Sequence, residues 1–334
     1  DPYLTGIGAD ELRRFWHDMT IIRRIDAEGV ALQRQGQLGL WAPSRGQEAA
    51  QLGTARAVRE TDFLFPSYRE HGVLHARGAA PGDFVRVWRG EEGAGYDPAV
   101  IHMAPAQIII GAQFVQTAGV ALGIKKRGKD AVAITYTGDG GSSQGDFYEG
   151  INFASAYLAP AIFVIQNNHY AISTPRELQT NAKTLAQKAV SVGIPGVLVD
   201  GMDPLAVYKV TKDARDRAVA GDGPTLIETL CYRYGPHTMA GDDPTRYRTS
   251  DEDSDWEKKD PLVRFRKFLE DKDLWNEDKE NEIMEQAKED VKKAIKEADG
   301  TDKQTVTQLM EIMYDEMPSN LEEQYEVYKE KESK

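Results

Sequence analysis

Apolar runs alternate along the chain with stretches in which apolar residues recur every three or four positions. Three of the runs are rich in β-branched residues and predict strands that are covered on both faces, as in a parallel sheet. They are residues 131–137 (AVAITYT), 161–167 (AIFVIQN) and 224–233 (PTLIETLCYR). Residues 146–158, between the first two, have a helical pattern. This part of the chain therefore predicts a β-α-β unit with a right-handed crossover.

Helical periodicity also marks both ends of the chain. Near the start, apolar residues such as Leu12 and Ile25 can share one face of a long helix, with Asp10 as its expected N-cap. Residues 111–128 predict a further helix rich in small residues. After about residue 260 the pattern is helical again, which predicts a helical C-terminal region.

Strands that alternate with helices predict an α/β fold with a doubly wound, mostly parallel sheet. We expect a helical N-terminal arm and a helical C-terminal extension to flank this sheet. The expected division places the ligand-binding domain and the N-terminal arm in residues 1–255. An acidic helical extension then occupies residues 256–334.

Charge and composition exclude several classes of protein. The net charge is −13, and residues 249–334 hold 27 acidic but only 15 basic residues, so a nucleic-acid partner is not expected. No apolar run approaches the roughly 20 residues that span a bilayer, and no signal peptide is expected. The single cysteine, Cys231, rules out an internal disulfide framework and fits a reducing compartment.

Polar side chains follow two of the predicted strands at the point where each strand ends. Gly138-Asp139-Gly140-Gly141 follows the first strand, and Asn167-Asn168 ends the second. Carboxyl ends of neighbouring parallel strands meet at one edge of a sheet, so we expect Asp139 and Asn168 to lie close together. Their oxygens are the ligands that Mg²⁺ prefers, often shared with substrate phosphates.

The residues around Asp139 favour a phosphate group at the same place. Gly140 and Gly141 allow the backbone to approach a phosphate closely. A helix that starts near Gly145 would point its free N–H groups toward an anion. The pattern therefore predicts a diphosphate held through Mg²⁺. A tight turn followed by a polar strand end is the alternative for Gly138-Asp139-Gly140 taken alone.

The spacing of these residues resembles a known fingerprint. Gly138-Asp139-Gly140, 26 further residues and Asn167-Asn168 are similar to the motif of thiamine diphosphate enzymes. The likeness extends over nearly the whole chain to the alpha subunits of the decarboxylase component of 2-oxo acid dehydrogenases. It rests on the segments PSYREHG, IIIGAQ, GDGGSSQGDFYEGINFA, NNHYAIST, VDGMDP and TLCYRYGPHTMAGDDPTRYR.

The resemblance implies roles for individual residues. The metal ligands would be the side chains of Asp139 and Asn168 and the carbonyl of Tyr170, and His237 would face the reaction centre as the catalytic residue. The implied cofactor contacts are Tyr68, Arg69, Ile108, Ile110, Asp139, Gly140, Gly141, Asn168, Ile172 and Arg233. Among them, Tyr68, Arg69 and Arg233 would contact the diphosphate, and backbone groups of Ile108 and Ile110 would meet the aminopyrimidine.

Three of these residues also have plain structural alternatives. Ile172 would support the bent cofactor, although an ordinary core position is also possible. For Arg69 the structural alternative is a surface ion pair with Glu70. A lone histidine such as His237 is more often structural than catalytic, but its place four residues after Arg233 favours a functional role.

The resemblance further implies oxidative decarboxylation of a 2-oxo acid, with pyruvate as the expected substrate. The acyl group would pass to the lipoyl group of an acyltransferase component. The implied cofactors are thiamine diphosphate and Mg²⁺, and the implied assembly is a heterotetramer of two alpha and two beta subunits. The beta chain would supply the carboxylate that activates the cofactor. A bacterial cytoplasmic location is expected in preference to the mitochondrial matrix.

Other functions remain open at this stage. A branched-chain 2-oxo acid or acetoin dehydrogenase alpha subunit would carry nearly the same fingerprint. A non-catalytic subunit that binds a magnesium diphosphate belongs to a different class. A nucleotide-binding protein of that class would need a Gly-Lys-Ser/Thr loop or a Gly-x-Gly-x-x-Gly motif after a strand, and the sequence has neither.

Overall fold

A computed structural model describes residues 6–89, 96–298 and 304–333. Its central feature is a sheet of five parallel strands in the order β1-β2-β3-β7-β6. These strands are β1 (Phe63–Phe65), β2 (Ala133–Gly138), β3 (Ala161–Asn167), β6 (Gly196–Asp200) and β7 (Thr225–Leu230). The short antiparallel strands β4 (Tyr170–Ala171) and β5 (Thr174–Pro175) form a hairpin directly after β3. The prediction of a doubly wound α/β fold is confirmed.

Helices precede, connect and follow the strands. The N-terminal half contains α1 (Ala9–Arg34), α2 (Glu48–Ala57), α3 (His71–Ala76), α4 (Pro81–Arg89), α5 (Pro98–Ile101), α6 (Ala112–Lys126) and α7 (Gly145–Ala156). The C-terminal half contains α8 (Arg176–Gln179), α9 (Pro204–Arg217), α10 (Ser250–Glu257), α11 (Pro261–Glu270), α12 (Glu277–Ala298), α13 (Val306–Glu311) and α14 (Ser319–Glu332). Turns of 3₁₀ helix cover Asp139–Ser143, Ala186–Val192 and Pro244–Arg246, and a π-helical turn covers Ala218–Asp222.

Alternate side chains of the strands point into two apolar cores on opposite faces of the sheet. On one face, Ile134 and Val164 pack in a core shared with α1, α9 and α12. On the other face, Phe163 and Ile165 pack against Phe114 and other residues of α6 and α7. Full burial on both faces explains why these strands read as continuous apolar runs rather than as an alternating pattern.

The predicted β-α-β unit forms as β2-α7-β3. Gly138 at the end of β2 is in register with Gln166 of β3, so the two strands end side by side. The run predicted at 224–233 is a strand only over Thr225–Leu230, because the chain then leaves the sheet toward the carboxyl edge. Predictions from apolar runs thus hold for the strand cores and fail by a few residues at their ends.

The predicted N-terminal helix forms as α1, but its expected N-cap is wrong. Gly8, with an extended backbone, occupies the N-cap, and Asp10 lies in the first turn, where it pairs with Arg13 at 2.6 Å. An acidic side chain in the first turn still interacts favourably with the helix dipole. Phe15 and Trp16 of α1 pack with Phe265 of α11 and with Trp275. These contacts join the N-terminal helix to the start of the helical C-terminal region.

The proposed division between residues 255 and 256 falls within α10 and stays a prediction. In the part of the chain that the structure describes, no helix has both the length and the apolar character that crossing a bilayer requires.

Candidate functional site

A cavity of about 410 Å³ opens beyond the carboxyl ends of β2 and β3. Its volume lies within the range of small-molecule sites, and its position at the strand ends is where α/β folds bind ligands. All twelve residues implied by the resemblance line it. They are Tyr68, Arg69, Ile108, Ile110, Asp139, Gly140, Gly141, Asn168, Tyr170, Ile172, Arg233 and His237.

Asp139 carries a buried oxygen that lacks a partner. The residue is 1% exposed, and its Oδ2 accepts a hydrogen bond of 2.6 Å from Gln179 Nε2. Its Oδ1 is buried without a hydrogen-bond partner among the described residues. Burial raises the pKa of the Asp139 carboxyl to about 6, against the opposing effects of Gln179 and Arg233. An orphaned carboxylate oxygen of this kind is a suitable ligand for a cation.

Asn168 and Tyr170 contribute neutral oxygens to the lining of the same cavity. Asn168 Oδ1 accepts a 3.3 Å hydrogen bond from the Tyr170 backbone N–H, while Asn168 Nδ2 donates to Gln47 Oε1 at 2.9 Å. In the described ranges, no group of three or more His, Cys, Asp or Glu residues is placed to hold a metal. A cation here would therefore rely on one carboxylate, on amide and carbonyl oxygens, and on oxygens of its ligand, which suits Mg²⁺.

Arg69 and Arg233 are two buried guanidinium groups at the cavity wall. They are 5% and 1% exposed. Arg69 donates to the carbonyls of Pro43 and His237, and Arg233 donates to the Ile172 carbonyl at 2.9 Å and the Tyr247 hydroxyl at 3.1 Å.

Neither guanidinium forms an ion pair within the described residues, so the alternative of a surface ion pair for Arg69 is wrong. Burial, and then the charge of Arg69, lower the pKa of Arg233 to about 10. Two adjacent buried cations without a carboxylate partner are costly to keep unless an anion binds between them.

His237 joins these arginines to Tyr68. Its Nδ1 faces Arg69 at 3.2 Å, and its Nε2 lies 3.5 Å from the Tyr68 hydroxyl. Burial, followed by the charges of Arg69 and Arg233, lowers the pKa of His237 to about 4. The imidazole is thus neutral at pH 7. Because a guanidinium can only donate, Nδ1 accepts from Arg69, and Nε2 carries the hydrogen and can donate toward Tyr68.

Ile172 is held in an unusual conformation at the cavity mouth. It lies in the loop between β4 and β5 with φ = 58°, a left-handed value that costs a β-branched residue roughly 1–3 kcal/mol. Its side chain is 56% exposed, so the alternative of an ordinary core position is wrong. The Ile172 carbonyl also anchors Arg233, which ties the hairpin to the guanidinium.

Gly141 is packed so closely by its neighbours that there is no room for a side chain at this position. A Cβ added to it would lie 1.9 Å from Thr137 Oγ1 and 2.9 Å from the Ile110 side chain, so no larger residue fits. The backbone of this turn therefore forms the cavity floor directly, and α7 begins at Gly145 just beyond it. Ile108, which also lines the cavity, is 69% exposed.

Several other lining residues were not predicted from the sequence as site residues. They are Leu40, Gln47, Ser67, Glu70, Trp88, Gln144, Gln166 and Thr238, together with the strand-end residue Gly138 and the hairpin residue Ala171. For Glu70, the only sequence signal for a place in the site is that it directly follows Arg69. Leu40, Gln47 and Trp88 come from segments distant in sequence, and no spacing or motif connects them to the strand ends.

Comparison with known proteins agrees with this geometry. Residues 17–307 match the family described as Dehydrogenase E1 component. The chain is 66% identical over 325 residues to the pyruvate dehydrogenase E1 component subunit alpha of Staphylococcus aureus (strain MRSA252), with 97% of this chain and 88% of that protein covered. The protein of the same name from Staphylococcus epidermidis (strain ATCC 12228 / FDA PCI 1200) is similar to the same extent. On this match, the chain belongs to the dehydrogenase E1 component family.

Proposed function

We propose that this chain is the alpha subunit of a pyruvate-decarboxylating enzyme and holds the diphosphate end of thiamine diphosphate through Mg²⁺. Membership of the family implies the use of thiamine diphosphate. The observation that carries the site proposal is the meeting, in one cavity, of two buried unpaired guanidiniums with an unpartnered carboxylate oxygen. The two guanidiniums lack an anionic partner, and the Asp139 oxygen lacks a cationic one. A magnesium diphosphate supplies both partners.

The proposed contacts follow from the donors and acceptors already in place. Asp139 Oδ1, Asn168 Oδ1 and the Tyr170 carbonyl would bind Mg²⁺. Tyr68, Arg69 and Arg233 would bind the diphosphate, with Gly140 and Gly141 close beneath it. Backbone groups of Ile108 and Ile110 would meet the aminopyrimidine, and Ile172 would support the bent cofactor.

The chemistry divides between the cofactor and this chain. Thiamine diphosphate, when bound, supplies the carbanion chemistry that releases carbon dioxide from a 2-oxo acid. His237 is the proposed catalytic residue, since its neutral imidazole lies between the arginines and the open cavity and can donate a hydrogen bond from Nε2. An anion bound at Arg69 and Arg233 would offset their charge and raise the pKa of His237 toward its ordinary value.

Pyruvate is the proposed substrate because the similar proteins from Staphylococcus carry that name. The test compares pyruvate, 3-methyl-2-oxobutanoate and acetoin at equal concentration on the assembled enzyme with thiamine diphosphate and Mg²⁺. The proposal expects pyruvate to give the highest kcat/KM. A preference for either other compound would assign the chain to the branched-chain or acetoin enzymes. Tight cofactor binding without any turnover would favour a non-catalytic subunit.

Arg233 offers a direct test of diphosphate recognition. Its guanidinium reaches two carbonyls of the β4–β5 hairpin and the Tyr247 hydroxyl at once. In Arg233→Lys a single ammonium cannot keep these contacts and also grip a phosphate, so we expect thiamine diphosphate affinity to fall by about 2 kcal/mol or more. Titration calorimetry with thiamine diphosphate and Mg²⁺ measures this loss. Arg246→Lys, an 83% exposed position in the same loop, is the matched control. Equal affinity in the two variants would contradict the proposed contact.

An exposed apolar surface on α6 and α7 supports the proposal that a protein partner binds there. Val115 and Val120 of α6 and Tyr148 and Phe153 of α7 are exposed by 37% to 41% in the free chain. Gly119, between the two valines, has open space where a Cβ would stand. A smooth apolar face of this kind suits close contact with another chain. We propose the beta subunit as that partner, in an assembly of two alpha and two beta chains.

Gly119 allows this surface to be tested by opposite effects on folding and on assembly. Gly119→Leu adds a side chain where the free chain has room and replaces a helical glycine, so the unfolding temperature of the chain should not fall. The same side chain would block close approach of a partner, and we expect assembly to weaken by at least about 1–3 kcal/mol. Sedimentation of mixtures with the beta chain measures the strength of assembly. Val219→Leu is the control, because Val219 is 38% exposed and lies outside α6 and α7. Unimpaired assembly of Gly119→Leu would exclude this face.

The remaining partners and the location follow from the same proposal. The lipoyl group of an acyltransferase component would receive the acyl group, and the small-molecule partner would be the 2-oxo acid. A bacterial cytoplasmic location is proposed on the single, buried and free cysteine and on the bacterial relatives.

A further inference from the structure

Asn168 can help to bind a cation only if its amide oxygen, and not its amide nitrogen, faces the metal. The two ends of an amide have nearly the same shape, so the hydrogen bonds around it decide which way it points. In the structure Asn168 Nδ2 donates to Gln47 Oε1 at 2.9 Å. Asn168 Oδ1 also accepts from the Tyr170 backbone N–H, but at 3.3 Å that bond is long, so the shorter bond to Gln47 is the stronger constraint.

The orientation of these amides can be traced back to backbone groups. Gln51 accepts from the Gly72 N–H at 2.8 Å and donates to the Arg69 carbonyl at 3.0 Å. An N–H can only donate and a carbonyl can only accept, so Gln51 has a single possible orientation. Its Nε2 also donates at 3.0 Å to Gln166, which must therefore present its Oε1.

The constraint passes from Gln166 to Asn168. Gln166 Oε1 accepts a second hydrogen bond from Gln47 Nε2 at 3.1 Å, and Gln166 Nε2 donates to the Glu70 carboxylate at 2.6 Å. Since Gln47 turns its nitrogen toward Gln166, its oxygen faces Asn168. Asn168 must then offer Nδ2 to Gln47, which leaves its Oδ1 for the Tyr170 backbone N–H and for a ligand in the cavity.

All five side chains of this network are buried. Gln47, Gln51, Glu70, Gln166 and Asn168 are each 4% exposed or less. Bulk water therefore cannot supply alternative hydrogen bonds, and a reversed amide would leave two donors or two acceptors face to face. Such a contact costs about 1–3 kcal/mol in a buried site, enough to hold one orientation.

We propose that Gln51, Gln166 and Gln47 form an amide relay whose function is to orient Asn168 with its Oδ1 toward the cation site beside Asp139. The inference rests on the proposed function, because it concerns the same magnesium site. The three glutamines are positioning residues. Gln47 and Gln166 also line the cavity, but their amide groups are engaged in these hydrogen bonds, so we expect them to act through Asn168.

The experiment measures Mg²⁺ affinity by titration calorimetry on the assembled enzyme saturated with thiamine diphosphate. Gln47→Met keeps the length of the side chain but cannot orient Asn168, and we expect the Mg²⁺ Kd to rise about 10- to 100-fold. Gln51→Met removes the backbone anchor without touching Asn168 and should shift the Kd in the same direction. Thr54→Val is the matched control. Thr54 is buried on the same helix as Gln51, and its hydroxyl donates to the Ala50 and Gln51 carbonyls, outside the relay.

A rescue separates orientation from a merely structural role. An aspartate at position 168 presents an oxygen whichever way it turns, so it does not need the relay. The added charge tightens Mg²⁺ binding by itself, so Asn168→Asp alone is the reference. Gln47→Met should raise the Mg²⁺ Kd far less in the Asn168→Asp background than in the wild-type background. If Gln47 only stabilised the fold, it would raise the Kd by the same factor in both.

The outcomes distinguish this inference from the proposed function. A wild-type enzyme that binds Mg²⁺ with thiamine diphosphate, with both Met variants weakened and with Gln47→Met nearly without effect in the Asn168→Asp background, supports the relay. Normal Mg²⁺ affinity in Gln47→Met, or an equal loss from Gln47→Met in the wild-type and Asn168→Asp backgrounds, overturns the relay and leaves the proposed function standing. Absence of Mg²⁺ binding in the wild-type enzyme overturns both.

Discussion

Asp139→Asn should weaken Mg²⁺ binding in the presence of thiamine diphosphate by about 3–5 kcal/mol, or roughly a hundredfold or more. The reason is the buried Oδ1, which has no hydrogen-bond partner among the described residues and would face the cation as its only anionic protein ligand. Calorimetry and turnover should fall together. Asp200→Asn is the matched control, because Asp200 ends β6 at the same edge of the sheet but does not line the cavity. Undiminished Mg²⁺ affinity in Asp139→Asn would remove this residue from the site.

The same substitution, which weakens Mg²⁺ binding, should increase the folding stability of the metal-free chain. Burial raises the folded pKa of Asp139 to about 6, above its ordinary value of 3.8. A raised pKa means that the carboxyl stabilises the fold below pH 3.8 and that this contribution is lost as the pH rises through 6. Asp139→Asn should therefore stabilise the metal-free chain at pH 7.5, by up to about 3 kcal/mol, but not at pH 3.8. Thermal unfolding at the two pH values tests the sign. An equal effect at both would show that ionisation of Asp139 is not the cause.

The chain without a partner should not decarboxylate pyruvate at a measurable rate. Two carboxylates line the described cavity, and both are engaged within the chain. Asp139 faces the proposed cation, and Glu70 accepts hydrogen bonds from Ser67 and Gln166. Neither is free to activate the other end of the cofactor. A missing acid–base group of this kind lowers turnover by about 10²–10⁴-fold.

Adding the beta subunit should restore turnover, as measured by carbon dioxide release from labelled pyruvate. The control is Asp139→Asn mixed with the same beta chain, which should remain inactive because it lacks the metal ligand rather than the partner. Rapid turnover by the purified chain alone would show that the activating group lies within it, and the two-chain proposal would then be wrong.

The sheet and the heart of the site could be predicted from sequence because their signals are local. The runs at 131–137 and 161–167 are apolar throughout since both faces of β2 and β3 are buried. Parallel pairing then places Asp139 and Asn168 at one edge, and the structure brings both to one cavity. The ends of elements were less predictable, as Gly8 shows, because an N-cap depends on where the backbone turns.

The surroundings of the site could not be predicted because they depend on contacts distant in sequence. Gln47 lies 119 residues from Gln166 in the chain, yet their side chains are hydrogen-bonded. The alternative of an ion pair between Arg69 and Glu70 was reasonable for neighbours. In the fold, however, Glu70 turns toward Gln166 and Arg69 turns toward His237. Only the three-dimensional structure shows that this leaves the arginines without a carboxylate.

The measurement that tests the central claim most directly is a crystal structure of the assembled enzyme with thiamine diphosphate and Mn²⁺ in place of Mg²⁺. Anomalous scattering locates the Mn²⁺ without reference to any assumed site. The account predicts one peak in the cavity at about 2.0–2.4 Å from Asp139 Oδ1, Asn168 Oδ1 and the Tyr170 carbonyl, with the diphosphate between that peak and Arg69 and Arg233. A peak bound by other residues, or a diphosphate that contacts neither arginine, would contradict it.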